Sequence, residues 1–243
     1  MAERTATVDL GGIGVSRHHV AALLEIDVTR ARCGLRMAAR NGRSTVSFLA
    51  WLVKNVATSL AQNPSPTGTT VSIMVEREVE GHRITLPLVI PDAAARAVEE
   101  IEARIVIARR EPVPAADLLF GRRQSLARRV YEVLPLALRR GVLARALRNP
   151  SRTAAAAGSV VVTSVGMGGR VRGWFIPRSM HPVCIGIGAV TAKAVVMNGR
   201  IESRQVLHLS LVADEQLLEG PPASRWISGL VRAIENGAEL SIN

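Results

Sequence analysis

A strand-like segment near the end of the chain finishes in a cluster of carboxylates. Residues 206–212 are apolar and rich in branched side chains, which is typical of a buried β-strand, and the sequence then turns acidic at Asp214, Glu215 and Glu219. A strand can aim such carboxylates into a cleft, where loss of water raises the pKa of a carboxylate and makes it a useful general base. The residues alone leave this interpretation and a solvated acidic turn both open.

A second strand-like segment, residues 159–169, ends in a glycine-rich turn and carries Thr163 near its end. A hydroxyl in such a place can donate a hydrogen bond to an oxyanion, and losing a donor of this kind costs an enzyme about 3 kcal/mol of transition-state stabilisation. The alternative is a strand hydroxyl with a structural partner. The glycines are not a dinucleotide fingerprint, because no G-x-G-x-x-G opens a helix.

The acidic segment resembles the catalytic domain of the dihydrolipoyl acyltransferases of 2-oxo-acid dehydrogenase complexes, within the chloramphenicol acetyltransferase-like superfamily. That family reads L-S-L-S-F-D-H-R-x-x-D-G, and the matching residues are Leu209, Ser210, Leu211, Asp214 and Gly220. Three positions depart from the motif. The general-base histidine is replaced by Glu215, the arginine by Gln216 and the second aspartate by Glu219.

The resemblance implies a role for each of five residues. Glu215 is expected to act as the general base, Thr163 stands where the family has its oxyanion-stabilising Ser or Thr, and Glu219 is expected to hold the active-site loop. Ser164 and Gly166, in the turn that resembles the family's F-T-I-S-N-L-G-M-x-G, are expected to bind the cofactor. An unperturbed glutamate has a pKa of about 4.3 and a thiol about 8.5, so a catalytic glutamate at this position requires burial.

The elements that must position these residues follow the same family pattern. We predict an α/β fold, a two-layer sandwich in which helices flank a mixed sheet, formed by residues 1–243 as a single domain. The predicted strands are residues 17–28, 71–79, 83–90 and 206–212, with a tight turn at Asn198-Gly199 between two further strands. The predicted helices are residues 29–41, 44–62, 93–110 and 222–239.

Five residues carry more specific expectations. Pro87 cannot donate to a sheet ladder, so its strand is predicted at an edge or with a bulge. Asp92 is predicted to cap the following helix. His208 is interpreted as a strand-edge residue. Of His18 and His19, only one can face a cleft, because neighbouring residues on a strand point to opposite sides.

A basic segment at about residues 111–157 is absent from the family pattern and is predicted to be a helical insertion. Three interpretations stay open. The segment can pack its apolar side on the body of the protein, it can form a lid over an enlarged pocket, or residues 118–150 can contact an anionic membrane surface.

Composition limits the class of protein. The 243 residues are 48% hydrophobic and include two cysteines, which favours a folded protein in a reducing, cytoplasmic compartment without a disulfide framework or a zinc site. The N-terminus does not resemble a signal peptide, and no apolar run is long enough for a transmembrane helix.

The net charge of +11 comes from 31 basic residues, of which 29 are arginine, against 20 acidic residues. The positive electrostatic field of these residues would attract a polyanion such as coenzyme A. The sequence contains no nucleic-acid recognition motif, so we do not expect a nucleic-acid partner.

These observations favour a coenzyme A-dependent acyltransferase that acts on a small molecule. We expect its active site to be altered and its role to lie in specialised biosynthesis. One alternative is a repurposed fold that catalyses an elimination or a cyclisation. Another is an inactive homologue that acts as a scaffold. By resemblance we expect a homotrimer that uses coenzyme A or an acyl-CoA as substrate. Neither lysine lies in a lipoyl attachment context, and no metal is expected.

Overall fold

In a computed structural model of the protein, six strands form one mixed sheet. The strands are β1 (His19–Asp27), β2 (Val71–Val79), β3 (His82–Ile90), β4 (Val160–Ser164), β5 (Val183–Met197) and β6 (Arg200–Asp214). The helices are α1 (Thr29–Arg40), α2 (Phe48–Ala61), α3 (Val98–Arg110) and α4 (Gly220–Glu235). The structure describes residues 18–42, 45–62, 68–79, 82–110, 135, 138, 141, 157–164, 172–217 and 220–240.

The order of strands across the sheet is β1-β6-β5-β4-β2-β3. Strand β4 runs parallel to both of its neighbours, β2 and β5, whereas the other pairs are antiparallel. Strand β6 therefore lies between β1 and β5 and pairs with both. This arrangement confirms the predicted mixed sheet.

One face of the sheet packs against the helices and forms the main core. Because side chains on a strand alternate between faces, Leu207, Leu209 and Leu211 all point to this side, and each is fully buried. Helix α2 supplies Trp51, which is also fully buried and whose indole N–H donates a hydrogen bond to the carbonyl of Ala238 at 2.6 Å. That bond holds the chain beyond α4 against the core.

The opposite face of the sheet, called the second face below, has a smaller apolar cluster. Its buried members are Val161 on β4, Cys184 on β5 and Val212 on β6. The segment 172–182, between β4 and β5, lies against this face at Gly186 and Gly188. A Cβ at Gly186 would be only 3.0 Å from both the carbonyl oxygen of Phe175 and the ring of Pro177. A side chain at Gly186 would therefore require its neighbours to shift by a few tenths of an ångström.

Most predicted elements are confirmed, and the predicted start of the third helix is wrong. Strand β3, which contains Pro87, lies at the edge of the sheet, and Asn198 and Gly199 form the β5–β6 turn with φ of 50° and 76°. Asp92 does not cap a helix: it has a left-handed φ of 49° and its side chain makes no capping hydrogen bond. A short 3-10 segment follows, and extended backbone at Arg96 then separates it from α3.

The predicted basic insertion at residues 111–157 lies outside the described residues, apart from four isolated positions. Its helical character, its role as a lid and the membrane contact of residues 118–150 therefore stay predictions. Within the ranges that the structure does describe, none of the helices combines the length and the apolar character needed to cross a bilayer.

The close packing at Gly188 generates a stability prediction. A Cβ there would lie 2.5 Å from the carbonyl oxygen of Gly173 and 2.7 Å from that of His208, so we expect Gly188→Ala to destabilise the protein by about 1–3 kcal/mol. Gly229 is a matched control, because a Cβ at this helical position meets nothing within 4 Å. Gly229→Ala should be stabilising by about 0.5–1 kcal/mol. Urea unfolding measures both, and equal midpoints for the two variants would contradict the packing described here.

Candidate functional site

Thr163 lies near the end of β4 and faces the second face of the sheet. Its register partner on β5 is Gly186, whose partner on β6 is Ser210. Ser210 is fully buried, and its hydroxyl has no hydrogen-bond partner among the described residues. Thr163 and Ser210 therefore stand on either side of a glycine, and both present a hydroxyl to the same face.

The other residues predicted near Thr163 are not all brought to this surface. Ser164 follows Thr163 on the strand, so the alternation of side chains places it on the helix-covered face, where its hydroxyl is buried. Gly166 lies outside the described residues. The proposed binding of a cofactor by Ser164 and Gly166 stays a prediction, and Ser164 does not share a face with Thr163.

Glu215 begins a short 3-10 segment, residues 215–217, directly after β6. Its backbone N–H donates a hydrogen bond to the carbonyl of His18 at 2.9 Å, which ties this turn to the start of β1. The side chain of Glu215 is exposed. Glu219, the other predicted catalytic carboxylate, lies outside the described residues.

Within one chain, Thr163 and Glu215 do not meet. Thr163 is level with Ser210 across β5, and Glu215 lies five positions further along β6. With about 3.3 Å per residue along a strand and about 4.8 Å between strands, their Cα atoms are roughly 19 Å apart. The two predicted catalytic residues can act on one substrate only if they come from different copies of the chain.

A buried histidine on the second face was missed in the sequence. The interpretation of His208 as a strand-edge residue is wrong, because it lies inside β6 and is only 4% exposed. Its ring packs edge-on against Trp174 with centroids 4.5 Å apart, and its Nδ1 is 3.0 Å from the carbonyl oxygen of Ala189. The pattern L-H-L-S-L contained the signal: three leucines on one face of a strand place His208 and Ser210 on the other.

Glu25 and Lys193 extend the surroundings of His208. Nε2 of His208 is 3.8 Å from Oε1 of Glu25, and the ammonium of Lys193 donates to the same oxygen at 2.5 Å. The hydrogen bond from Lys193 lowers the pKa of Glu25 below its ordinary value. His208 contacts three neighbouring groups, the ring of Trp174, the carbonyl oxygen of Ala189 and the carboxylate of Glu25, so we assign this cluster a structural role.

A second histidine and carboxylate pair lies at the other end of β1. His19 and Asp214 are register partners on β1 and β6, and Nε2 of His19 is 3.1 Å from Oδ1 of Asp214. Both side chains belong to the second face, in agreement with the expectation that one of His18 and His19 faces it. Asp214 immediately precedes Glu215, so this pair adjoins the predicted base.

Neither a nucleophilic role for Cys184 nor a metal site is supported by the described residues. Burial raises the pKa of the Cys184 thiol to about 12, so this thiol stays protonated and is a poor nucleophile at neutral pH. Across the described ranges, no group of three or more His, Cys, Asp and Glu side chains is arranged to hold a metal ion.

Comparison with known proteins finds similarity to the same type of domain. Residues 143–242 match the family model described as 2-oxoacid dehydrogenases acyltransferase (catalytic domain). Over 80 residues, the chain is 32% identical to the dihydrolipoyllysine-residue acetyltransferase component of the pyruvate dehydrogenase complex of Bacillus subtilis (strain 168). That alignment covers 32% of this chain and only 18% of the Bacillus protein, so the matched part spans less than a fifth of that relative.

Solved structures of similar proteins extend the likeness to almost the whole chain. A probable dihydrolipoamide acetyltransferase from Listeria monocytogenes superposes with a TM-score of 0.63 at 16% identity, covering 99% of this chain and 94% of that one. The dihydrolipoamide acetyltransferase of Azotobacter vinelandii gives 0.61 at 16% identity, with 96% and 88% covered. A truncated catalytic core from Thermoplasma acidophilum gives 0.58 at 19% identity, with 97% and 95% covered. The predicted resemblance and fold class are confirmed.

The two cysteines provide a direct check on burial at the second face. Cys33 is exposed, whereas burial raises the pKa of Cys184 to about 12. We expect a thiol reagent such as 5,5′-dithiobis(2-nitrobenzoic acid) to modify one thiol per folded chain at neutral pH, and both after denaturation. A Cys33→Ser variant should then show no fast reaction, and rapid modification of Cys184 in that variant would contradict the buried second-face cluster.

The contact between Glu25 and Lys193 leads to a prediction about titration. Because Lys193 lowers the pKa of Glu25, the pair stabilises the fold above the unfolded-state pKa of glutamate, and this contribution is lost as the pH falls through the folded-state pKa. In Lys193→Gln, the carboxyl of Glu25 should titrate at a higher pH when followed by NMR. Arg200→Gln, at the far end of the β5–β6 hairpin, is the control, and an equal change in both variants would rule out this pairing.

Proposed function

We propose that this protein is a coenzyme A-dependent acyltransferase that acts on a small molecule. The observation that carries the proposal is the match of residues 143–242 to an acyltransferase catalytic domain, because this range contains β4, β5, β6 and the acidic turn. The similar solved structures support the same fold over nearly the full chain. The proposed reaction moves an acyl group between a thioester and a thiol or hydroxyl acceptor.

The chemistry of this transfer requires a proton acceptor and an oxyanion donor. A base takes the proton of the attacking thiol or hydroxyl, and the attack on the thioester carbonyl then places negative charge on the carbonyl oxygen. We propose Thr163 as the donor to that oxygen. The resemblance assigns the proton acceptor to Glu215 and the support of the loop to Glu219. Since Glu215 is exposed in one chain, this assignment needs a substrate or a second copy that removes water from it.

The distance of roughly 19 Å between Thr163 and Glu215, estimated from strand spacing, supports a site shared between copies of the chain. We therefore propose a homotrimer, in which the end of β6 from one copy faces β4 of the next. The cubic core of the pyruvate dehydrogenase multienzyme complex, a similar solved structure with a TM-score of 0.60 at 17% identity, is itself a multichain assembly.

An exposed apolar surface supports the same assembly. Strand β5 extends past the last register partner of β4, Ile187, so residues 193–204 form a hairpin in which β5 and β6 pair only with one another. Near its tip, Val196 is 69% exposed and Ile201 is 78% exposed. Large apolar side chains at such exposure fit a surface that another protein chain covers.

The structure adds one argument about the compartment. Cys33 and Cys184 are both free, and the exposed thiol of Cys33 would be open to oxidation outside a reducing environment. We propose that the protein works in the cytoplasm and that residues 1–243 form one domain.

Coenzyme A binding and acyl transfer test the proposal together. We expect calorimetry to detect binding of coenzyme A, and we expect turnover of acetyl-CoA with dihydrolipoamide as a probe acceptor. Thr163→Val keeps the shape of the side chain and removes the hydroxyl, so kcat should fall by about 10²–10³-fold. Thr191→Val is the matched control, because Thr191 is a second strand threonine, and its buried hydroxyl has no hydrogen-bond partner among the described residues. Its kcat should stay within twofold of the wild-type value.

The outcomes separate the three functional hypotheses. Absence of both binding and transfer would overturn the proposed function. Binding of coenzyme A without transfer to any acceptor favours an inactive homologue, which agrees with the exposure of Glu215. Formation of a product from a pathway intermediate in the absence of coenzyme A favours an elimination or a cyclisation. Glu215→Gln, with Glu235→Gln as a control on another exposed carboxylate, tests the role that the resemblance gives to Glu215.

A further inference from the structure

His19 and Asp214 form a histidine and carboxylate pair that the proposed reaction has not yet used. They face each other directly across β1 and β6, with Nε2 of His19 3.1 Å from Oδ1 of Asp214. The side chain of His19 is 11% exposed and that of Asp214 is 24% exposed. Nε2 is itself buried, and among the described residues its approach to Oδ1 is a close contact between a histidine and a carboxylate, not a hydrogen bond. The pair is thus partly shielded from water but not sealed.

The backbone around the pair is fixed by two hydrogen bonds. The N–H of Asp214 donates to the carbonyl of Pro182 at 2.9 Å, and the N–H of Glu215 donates to the carbonyl of His18 at the same distance. Three segments of the chain therefore meet at this point: the start of β1, the end of β6 and the residues before β5. Such a frame can hold an imidazole in one orientation.

The arrangement also sets the protonation pattern of the imidazole. A carboxylate beside one ring nitrogen favours a proton on that nitrogen, which leaves the lone pair on the other. We assign the proton to Nε2, the nitrogen beside Asp214, and this assignment puts the lone pair of His19 on Nδ1. An unperturbed imidazole has a pKa of about 6.5, which is closer to the value of about 8.5 for a thiol than that of a carboxylate, about 4.3. Imidazole is accordingly the stronger base for this task.

His19 occupies a suitable place for the proposed reaction. Its partner Asp214 directly precedes Glu215, the position where the family's motif has its histidine. His19 shares the second face of the sheet with Thr163, and strand spacing puts their Cα atoms roughly 20 Å apart in one chain, so His19, like Glu215, can act with Thr163 only across the boundary between copies. The carboxylate of Glu215 lies beyond the end of the strand and is exposed. A histidine therefore lies beside the altered position, although on a different strand.

We propose that His19, positioned by Asp214, is the general base of this protein and takes the role that Glu215 was expected to have. The inference rests on the acyl transfer proposed above. Nδ1 of His19 takes the proton from the thiol of coenzyme A or of the acceptor, and the resulting thiolate bonds to the thioester carbonyl carbon. The bond from that carbon to the leaving sulfur then breaks, and the imidazolium returns its proton to the leaving thiolate.

The matched control for this assignment is the neighbouring histidine. His18 is exposed and directly precedes β1, so His18→Gln makes the same chemical change beside the site without touching Asp214. With acetyl-CoA and dihydrolipoamide as probes, His19→Gln should lower kcat by about 10²–10⁴-fold, and His18→Gln should leave it within twofold. The Kd of coenzyme A measured by calorimetry should change little in either variant, because the base acts on the proton rather than on binding.

Three further variants distinguish a base from a structural residue. Added imidazole should restore part of the turnover of His19→Gly, which a purely structural histidine would not allow. Asp214→Asn should lower kcat, and Asp214→Glu should recover part of the loss. If His19→Gln does not fold, as judged by circular dichroism, the imidazole response of His19→Gly and the effect of Asp214→Asn decide the question.

A second readout does not require an acceptor. Alkylation by iodoacetamide of the thiol of protein-bound coenzyme A should be faster with the wild-type protein than with His19→Gln, because a base favours the reactive thiolate. Equal alkylation rates, together with unchanged turnover in His19→Gln, would overturn the assignment of His19 and leave the acyltransferase function intact. A wild-type protein that neither binds coenzyme A nor transfers an acyl group would instead overturn the proposed function and this assignment with it.

Discussion

The pairing of β6 with both of its neighbours is the constraint on which the rest of the structure depends. A strand in the middle of a sheet cannot shift by one residue without exchanging its two faces. In β6, such a shift would turn Leu207, Leu209 and Leu211 away from the helices and put His208 and Ser210 into the apolar core. The hydrophobic cost of that exchange fixes the register, and the register in turn decides which side chains can meet on the second face.

The sequence predicted the elements well because their signals are local. Alternating and continuous apolar patterns marked the strands, and Asn198-Gly199 marked a turn whose positive φ values these two residue types tolerate. The prediction failed at Asp92, where an acceptable capping residue precedes an alanine-rich segment. The backbone at Asp92 is left-handed instead, and the carbonyl of Ala94 accepts a hydrogen bond from the buried Lys54. A tertiary contact of this kind has no local signature.

The sequence indicated which residues to examine in the candidate site, but it did not indicate which neighbours their side chains have. The resemblance drew attention to Thr163 and Glu215, yet the exposure of Glu215 depends on what surrounds the end of β6 in space. The proximity of His19 and Asp214 likewise follows from the register between two strands that lie at opposite ends of the chain. The opposite orientations of Thr163 and Ser164 needed only strand alternation, and this part of the site could have been read from the sequence.

The wide separation of Thr163 from the end of β6 has a genetic consequence if the site is shared between copies. A chain that lacks the hydroxyl of Thr163 still carries an intact end of β6, and a chain damaged at the end of β6 still carries Thr163. When both defective chains are made in one cell, their mixed assemblies include interfaces in which the two sound halves face each other. Two alleles that are each inactive alone can then complement one another, which is a property that a site confined to one chain cannot have.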